Sequence, residues 1–163
     1  MEKIDIKFQR FIEICFYPSI FAITFISKIS LLDYMGAIIV LNVIAVKGLG
    51  EGKIFMSMGH YKKEIKAKLG FDAYEGTLNL KVDEKQLEQL KKAKSIKIRG
   101  YEKNNKTFYG AKCYKAKIKN IKGAVIIPDL TKHKDIVEFI APIHLKSELK
   151  INDGDKLKIE LIE

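Results

Sequence analysis

Hydrophobic and polar positions change rhythm several times along this chain. From Ile38 to Val46 the residues are largely apolar and often β-branched, which predicts a buried strand. The glycine-rich stretch Gly48-Leu49-Gly50-Glu51-Gly52-Lys53 interrupts it, and Ile54–Met58 reads as a short continuing strand. Tyr61, Ile65 and Leu69 recur every four residues, predicting a helix over 61–69 that stops at Gly70. At 77–80 the pattern becomes strict alternation. Leu78 and Leu80 share one face of a strand, Thr77 and Asn79 the other. Residues 83–94 read as a short surface helix with Asp83 near its start.

The second half is richer in strands. Residues 95–99 alternate, and Asn104-Asn105 marks a turn. Residues 107–119 read as one long alternating strand, and 123–127 as a short apolar strand ended by Pro128. Residues 135–140 form another, halted at Ala141-Pro142. Leu145–Leu149 suits a helical turn, and Asn152-Asp153-Gly154-Asp155 is a turn before a final strand over 156–162. Many short strands with few helices predict a mainly β fold, a small barrel with short helices.

That barrel accounts for residues 38–163, and residues 1–37 form an apolar N-terminal extension. Within the extension, 16–26 is an uncharged run, shorter than the roughly 18–20 apolar residues a spanning helix needs, and Pro18 interrupts it. The start carries charges of both signs and no small-residue cleavage site, unlike a signal peptide. Three readings fit: a start codon placed too early, with Met35 as the true first residue; an anchor for a membrane or partner; a helix packed on the barrel. Membrane contact through residues 11–46 is the least favoured.

Composition narrows the partners. The 163 residues carry a formal charge of +10, mostly lysine, which favours anionic ligands such as nucleotides, nucleic acid or a membrane surface. Scattered lysines on a solvated face would give the same sum. Cys15 and Cys113 form neither a disulfide framework nor a metal spacing, so a reducing cytoplasm is the expected location.

Three constellations could carry chemistry. Alternate glycines at 48, 50 and 52 allow a sharp turn and close backbone approach to an anion, with Lys53 adding a charge. The spacing is neither the Walker loop nor the dinucleotide fingerprint, and an ordinary glycine-rich hairpin would look alike. Thr77 and Asn79 offer two hard oxygens on one strand face, suited to magnesium, though any polar strand face could read this way. Thr131 and His133 precede Glu138, whose neighbours Val137, Phe139 and Ile140 are apolar. A carboxylate turned inward there would be costly unless it binds something, whereas one turned outward would be unremarkable.

Taken together, GLGEGK (48–53), LGFDAYEGTLNL (69–80), KGAVIIPDLTKH (122–133), IVEFIAPIHLK (136–146) and NDGDKLKIEL (152–161) resemble the CTP-dependent riboflavin kinases of archaea. The resemblance spans about residues 39–163, and YEGTLNL is its most specific piece. It implies a six-stranded cradle-loop barrel that phosphorylates riboflavin to FMN with CTP as donor. Gly48, Leu49, Gly50, Glu51, Gly52 and Lys53 would cradle the nucleotide, with Ile143, His144, Leu145 and Lys146 helping through backbone groups. Thr77 and Asn79 would hold one Mg2+. Thr131 and Glu138 would contact the flavin. Lys53 and Glu138 would be the catalytic pair, one neutralising phosphate charge and the other orienting the attacking hydroxyl. The implied partners are riboflavin and CTP, without nucleic acid. A basic barrel that binds nucleic acid is the competing reading; Phe108-Tyr109 between Lys106 and Lys112 is a faint version of the stacking that it would need.

Overall fold

The computed structural model describes residues 38–162 apart from Leu49 and Lys132. The expectations for residues 1–37 lie outside the described residues. Among the described residues no helix is long and apolar enough to cross a membrane.

The strands are β1 (Val40–Val46), β2 (Leu78–Lys81), β3 (Ile96–Ile98), β4 (Tyr101–Lys103), β5 (Lys106–Phe108), β6 (Ala111–Ile118), β7 (Ile121–Pro128), β8 (Ile136–Ile140) and β9 (Lys156–Leu161). Four helices join them: α1 (Glu51–Ser57), α2 (Gly59–Leu69), α3 (Glu84–Lys92) and α4 (Leu145–Leu149). Seven strands pair in the order β3-β6-β7-β8-β2-β1-β9, and β9 pairs back onto β6. Six strands therefore close an antiparallel barrel, with β3 attached outside it, as the alternation and the family resemblance led one to expect. Closure removes the free edges that an open sheet would expose.

Alternation decides which face of each strand is dry. Leu41, Val43, Leu78, Leu80, Val125, Val137, Phe139 and Ile159 fill the interior. A second apolar layer lies outside the ring, where Met56, Tyr61 and Ile65 from α1 and α2 cover Ile98, Ala111, Cys113, Ala124 and Ile140. Burial raises the Cys113 thiol to about 12, marking it as packing material. Glu64 ties this layer together: its carboxylate accepts from the backbone N–H and guanidinium of Arg99 and pairs with Lys68 at 2.7 Å.

Two expectations need correction. Residues 54–58 are not a strand: Ile54 to Ser57 belong to α1, and Met58 links it to α2. A short apolar run cannot settle helix against strand by itself. Here Gly50, in the left-handed region at φ 83°, turns the chain out of the β1 direction, and Met56 gains its burial only on a helix laid over the sheet. The long strand over 107–119 is divided. Residues 106–108 pair with β4 through a turn in which Asn104 and Asn105 both have positive φ. The chain then passes Gly110, where a side chain would lie 3.0 Å from Asp129 Oδ2 and 3.1 Å from the Gly100 nitrogen, and begins β6.

The other elements fall where the pattern placed them. Gly70 ends α2 in the left-handed conformation, its N–H donating to the Lys66 carbonyl. Asp83 caps α3 by accepting from the Gln86 N–H at 2.7 Å.

Candidate active site

The polar face of β2 is the foundation of the site. In the antiparallel ladder Asn79 stands opposite Val46 on β1 and opposite Glu138 on β8, and Glu138 in turn faces Ile126 on β7. Directly paired residues share a face, so Asn79 and Glu138 project together from the outside of the barrel. Leu78 and Phe139, one step away, point into the core.

The glycine-rich segment lies against this row. A side chain on Gly48 would strike the Asn79 amide, and one on Gly52 would strike Thr77, with Thr77 Cγ2 at 2.8 Å and Glu138 Oε2 at 2.9 Å. Absence of a Cβ is thus a packing requirement at both positions, and it brings the backbone onto Thr77, Asn79 and Glu138. Gly52 and Lys53 lie in the first turn of α1, where the Lys53 N–H donates to the Gly50 carbonyl at 3.2 Å.

A cavity of about 260 Å³ opens beside this contact. Gly48, Gly50, Gly52 and Lys53 form one wall, and Thr77 and Asn79 the floor. Ile143, His144, Leu145 and Lys146, where the chain enters α4, form the opposite side. The structure therefore brings together three of the expected segments. Lys146 also pairs with Asp153 at 2.6 Å. Leu49 lies outside the described residues.

Three expected residues stand apart from the cavity lining. Glu51 is exposed at the start of α1, near enough to Glu138 to raise its affinity for a proton. Glu138 sits beneath Gly52, behind the lining. Thr131 is exposed in the β7–β8 loop, where its hydroxyl and the backbone of His133 hydrogen-bond to each other. Burial pushes the Glu138 carboxyl above its ordinary range, and Glu51 adds to the rise; Thr77 and His133 pull it partly back.

Three lining residues had no role in the sequence reading: Tyr74, Glu75 and Gly76. All lie in the YEGTLNL motif, so the signal was in view, but their placement depends on the turn before β2. Tyr74 donates its backbone N–H to Ala141 O at 2.8 Å, which ties the two sides of the cavity together. Its ring meets that of His144 at 5.1 Å, and His144 Nδ1 shares a 2.6 Å hydrogen bond with the Ser147 hydroxyl. Glu75 pairs with Lys62 of α2.

The donor set suits a hard cation bound through a ligand's phosphates. Among the described residues no cluster of three His, Cys, Asp or Glu side chains could hold a metal by itself. Thr77 and Asn79 supply neutral oxygens, which fits magnesium that keeps water and phosphate oxygens as its remaining ligands.

A closed antiparallel barrel, one polar row covered by a glycine loop and a cavity holding a lysine beside paired aromatic rings define a binding barrel for a small anionic ligand with a planar group. The family model for the CTP-dependent riboflavin kinase domain, described as a domain of unknown function, DUF120, matches residues 45–161. The chain belongs to this family. It is similar to the riboflavin kinases of Pyrobaculum aerophilum (39% identical over 121 residues), Methanocella arvoryzae (40% over 117) and Archaeoglobus fulgidus (37% over 119). The matches take in 72%, 71% and 71% of this chain but only 58%, 54% and 51% of those relatives, so the chain spans little more than half of their length.

Proposed function

We propose that this protein transfers the terminal phosphate of CTP to the ribityl 5′-hydroxyl of riboflavin, yielding FMN and CDP. The observation that carries this reading is the contact of Gly52 with Thr77 and Glu138 at the edge of a cavity containing Lys53. A polyphosphate site and a buried carboxyl are thereby set side by side. Membership of the family and the names of the relatives support the choice of reaction.

In this reading the backbone of residues 48–52 and the Lys53 ammonium bind the phosphates, while residues 143–146 and Tyr74 hold the nucleobase end. Thr77 and Asn79 hold Mg2+, which when bound supplies positive charge to the phosphate oxygens. Thr131 and Glu138 meet the flavin. The riboflavin hydroxyl oxygen forms a bond to the terminal phosphorus as the bond from that phosphorus to the bridging oxygen of the departing CDP breaks. Glu138 orients the hydroxyl and accepts its proton; the raised proton affinity of the carboxyl suits it to that acceptance. Phosphoryl transfer asks the protein chiefly for alignment and charge neutralisation, and Lys53 and the loop amides provide both.

The test is a product assay with the full chain, riboflavin and magnesium, with CTP, ATP, GTP or UTP in parallel and FMN resolved by chromatography. FMN formed mainly with CTP is the expected result. A folded sample that makes no FMN with any donor would overturn the reading.

A further inference from the structure

Outside the cavity, three exposed apolar side chains from separate segments gather near Glu138. Phe55 is 45% exposed, Tyr109 52% and Leu130 63%. Single exposed apolar residues are ordinary on protein surfaces; adjoining ones from distant parts of the chain are a candidate binding surface. Phe55 lies one turn along α1 from Gly52, the residue set against Glu138. Its ring meets Tyr61 edge-on at 6.1 Å, and the Tyr61 hydroxyl donates to the Tyr109 carbonyl at 2.5 Å. Gly110, the next residue, accepts from the Asp129 N–H at 2.9 Å, which brings the 109–110 segment beside Asp129 and Leu130. The loop then continues through Thr131 to His133, whose charge is felt at Glu138. None of the three apolar residues lines the glycine-loop cavity.

We propose that Phe55, Tyr109 and Leu130 form a ledge that receives the isoalloxazine ring of riboflavin, so that the two substrates approach Glu138 from different sides. This rests on the kinase reading for the identity of the ligand. Riboflavin joins a large planar, mostly apolar ring to a flexible polyhydroxyl chain. The ring needs apolar and aromatic surface, and the terminal hydroxyl needs the carboxyl and the phosphate. The cavity is rich in backbone amide and cation, which suits a nucleotide. The ledge supplies what the cavity lacks: aromatic surface open to solvent within reach of Glu138. The ribityl chain then crosses from the ledge to the carboxyl, past Thr131.

The experiment compares wild type with Phe55→Ala, Tyr109→Ala and Leu130→Ala in the full chain. Riboflavin binding is followed by quenching of flavin fluorescence, and FMN formation by steady-state kinetics. Val40→Ala, an exposed apolar residue on β1, is the control. Each aromatic truncation is expected to raise the Kd and KM for riboflavin about 10-fold, with the KM for CTP nearly unchanged. Phe55→Leu should recover part of the loss. Leu130→Ala, in a loop, gives a smaller effect in the same direction and serves as the second variant should an aromatic truncation fail to fold. If wild type makes FMN and these variants bind riboflavin within twofold of it, the ledge is overturned and the kinase reading stands. Wild type that makes no FMN yet binds riboflavin, with binding lost in Phe55→Ala, would support the ledge and sink the kinase reading. Wild type that does not bind riboflavin would overturn both.

Discussion

Asn79 and Glu138 are directly opposite one another in the β2–β8 ladder, and the glycine loop rests on the row that they share. A carboxyl destined for chemistry is thus fixed by backbone pairing, with its burial imposed by Gly52 above it. The two requirements conflict, because burial costs stability while serving reactivity.

Glu138→Gln is therefore expected to move activity and stability in opposite directions. The raised carboxyl means that the native state holds its proton more tightly than the unfolded chain does. Its contribution to stability is favourable below the ordinary carboxylate range and is lost as pH rises through the folded value. At neutral pH the amide should stabilise the fold by about 1 kcal/mol, and the gain should vanish in acid. FMN formation should fall about 10²-fold or more. Thermal melts at pH 7 and pH 4 beside initial rates check both halves.

Two glycine substitutions separate function from fold. Gly52→Ala places a methyl group against Thr77 and Glu138, a clash expected to cost about 1–3 kcal/mol if absorbed by the loop and to weaken nucleotide binding by titration calorimetry. Gly70→Ala meets no neighbouring atom but must hold φ at 83°. It should cost about 1 kcal/mol of stability and leave nucleotide affinity unchanged.

Lys53→Ala and Thr77→Ala should each lower turnover by about 10²–10³. Thr77→Ser keeps the hydroxyl and should retain most of the activity. Near-normal turnover in either alanine variant would remove that residue from the catalytic machinery.

Glu64 makes a prediction about acid. The Arg99 side chain, then Lys68, then the Arg99 backbone N–H hold its carboxyl down to about 2 from an ordinary 4.5. A lowered carboxyl contributes stability above the unfolded value that disappears as pH falls toward the folded one. Wild type should lose part of its thermal stability between pH 4.5 and pH 2. Glu64→Gln should melt lower at pH 7 and show a shallower decline across that window.

Much of this protein is legible in its residues. Alternation at Leu78 and Leu80 places Thr77 and Asn79 on the wet face, because successive strand residues point to opposite sides. The period of four through Tyr61, Ile65 and Leu69 fixes α2, and the glycines and asparagines mark the turns, because few other residues tolerate positive φ. These are local constraints, settled within a few bonds of each residue. What tertiary structure alone decided are the matters that depend on distant segments. Residues 54–57 became a helix because a second apolar layer was there to bury Met56. Tyr74 met His144 because the turns before β2 and after β8 lie side by side in the barrel. Glu138, whose facing the sequence left open, took the wet face and was then buried by a loop some eighty residues earlier. Register and closure set those distances, and they are properties of the closed barrel, since no short stretch of chain encodes which strand becomes its neighbour.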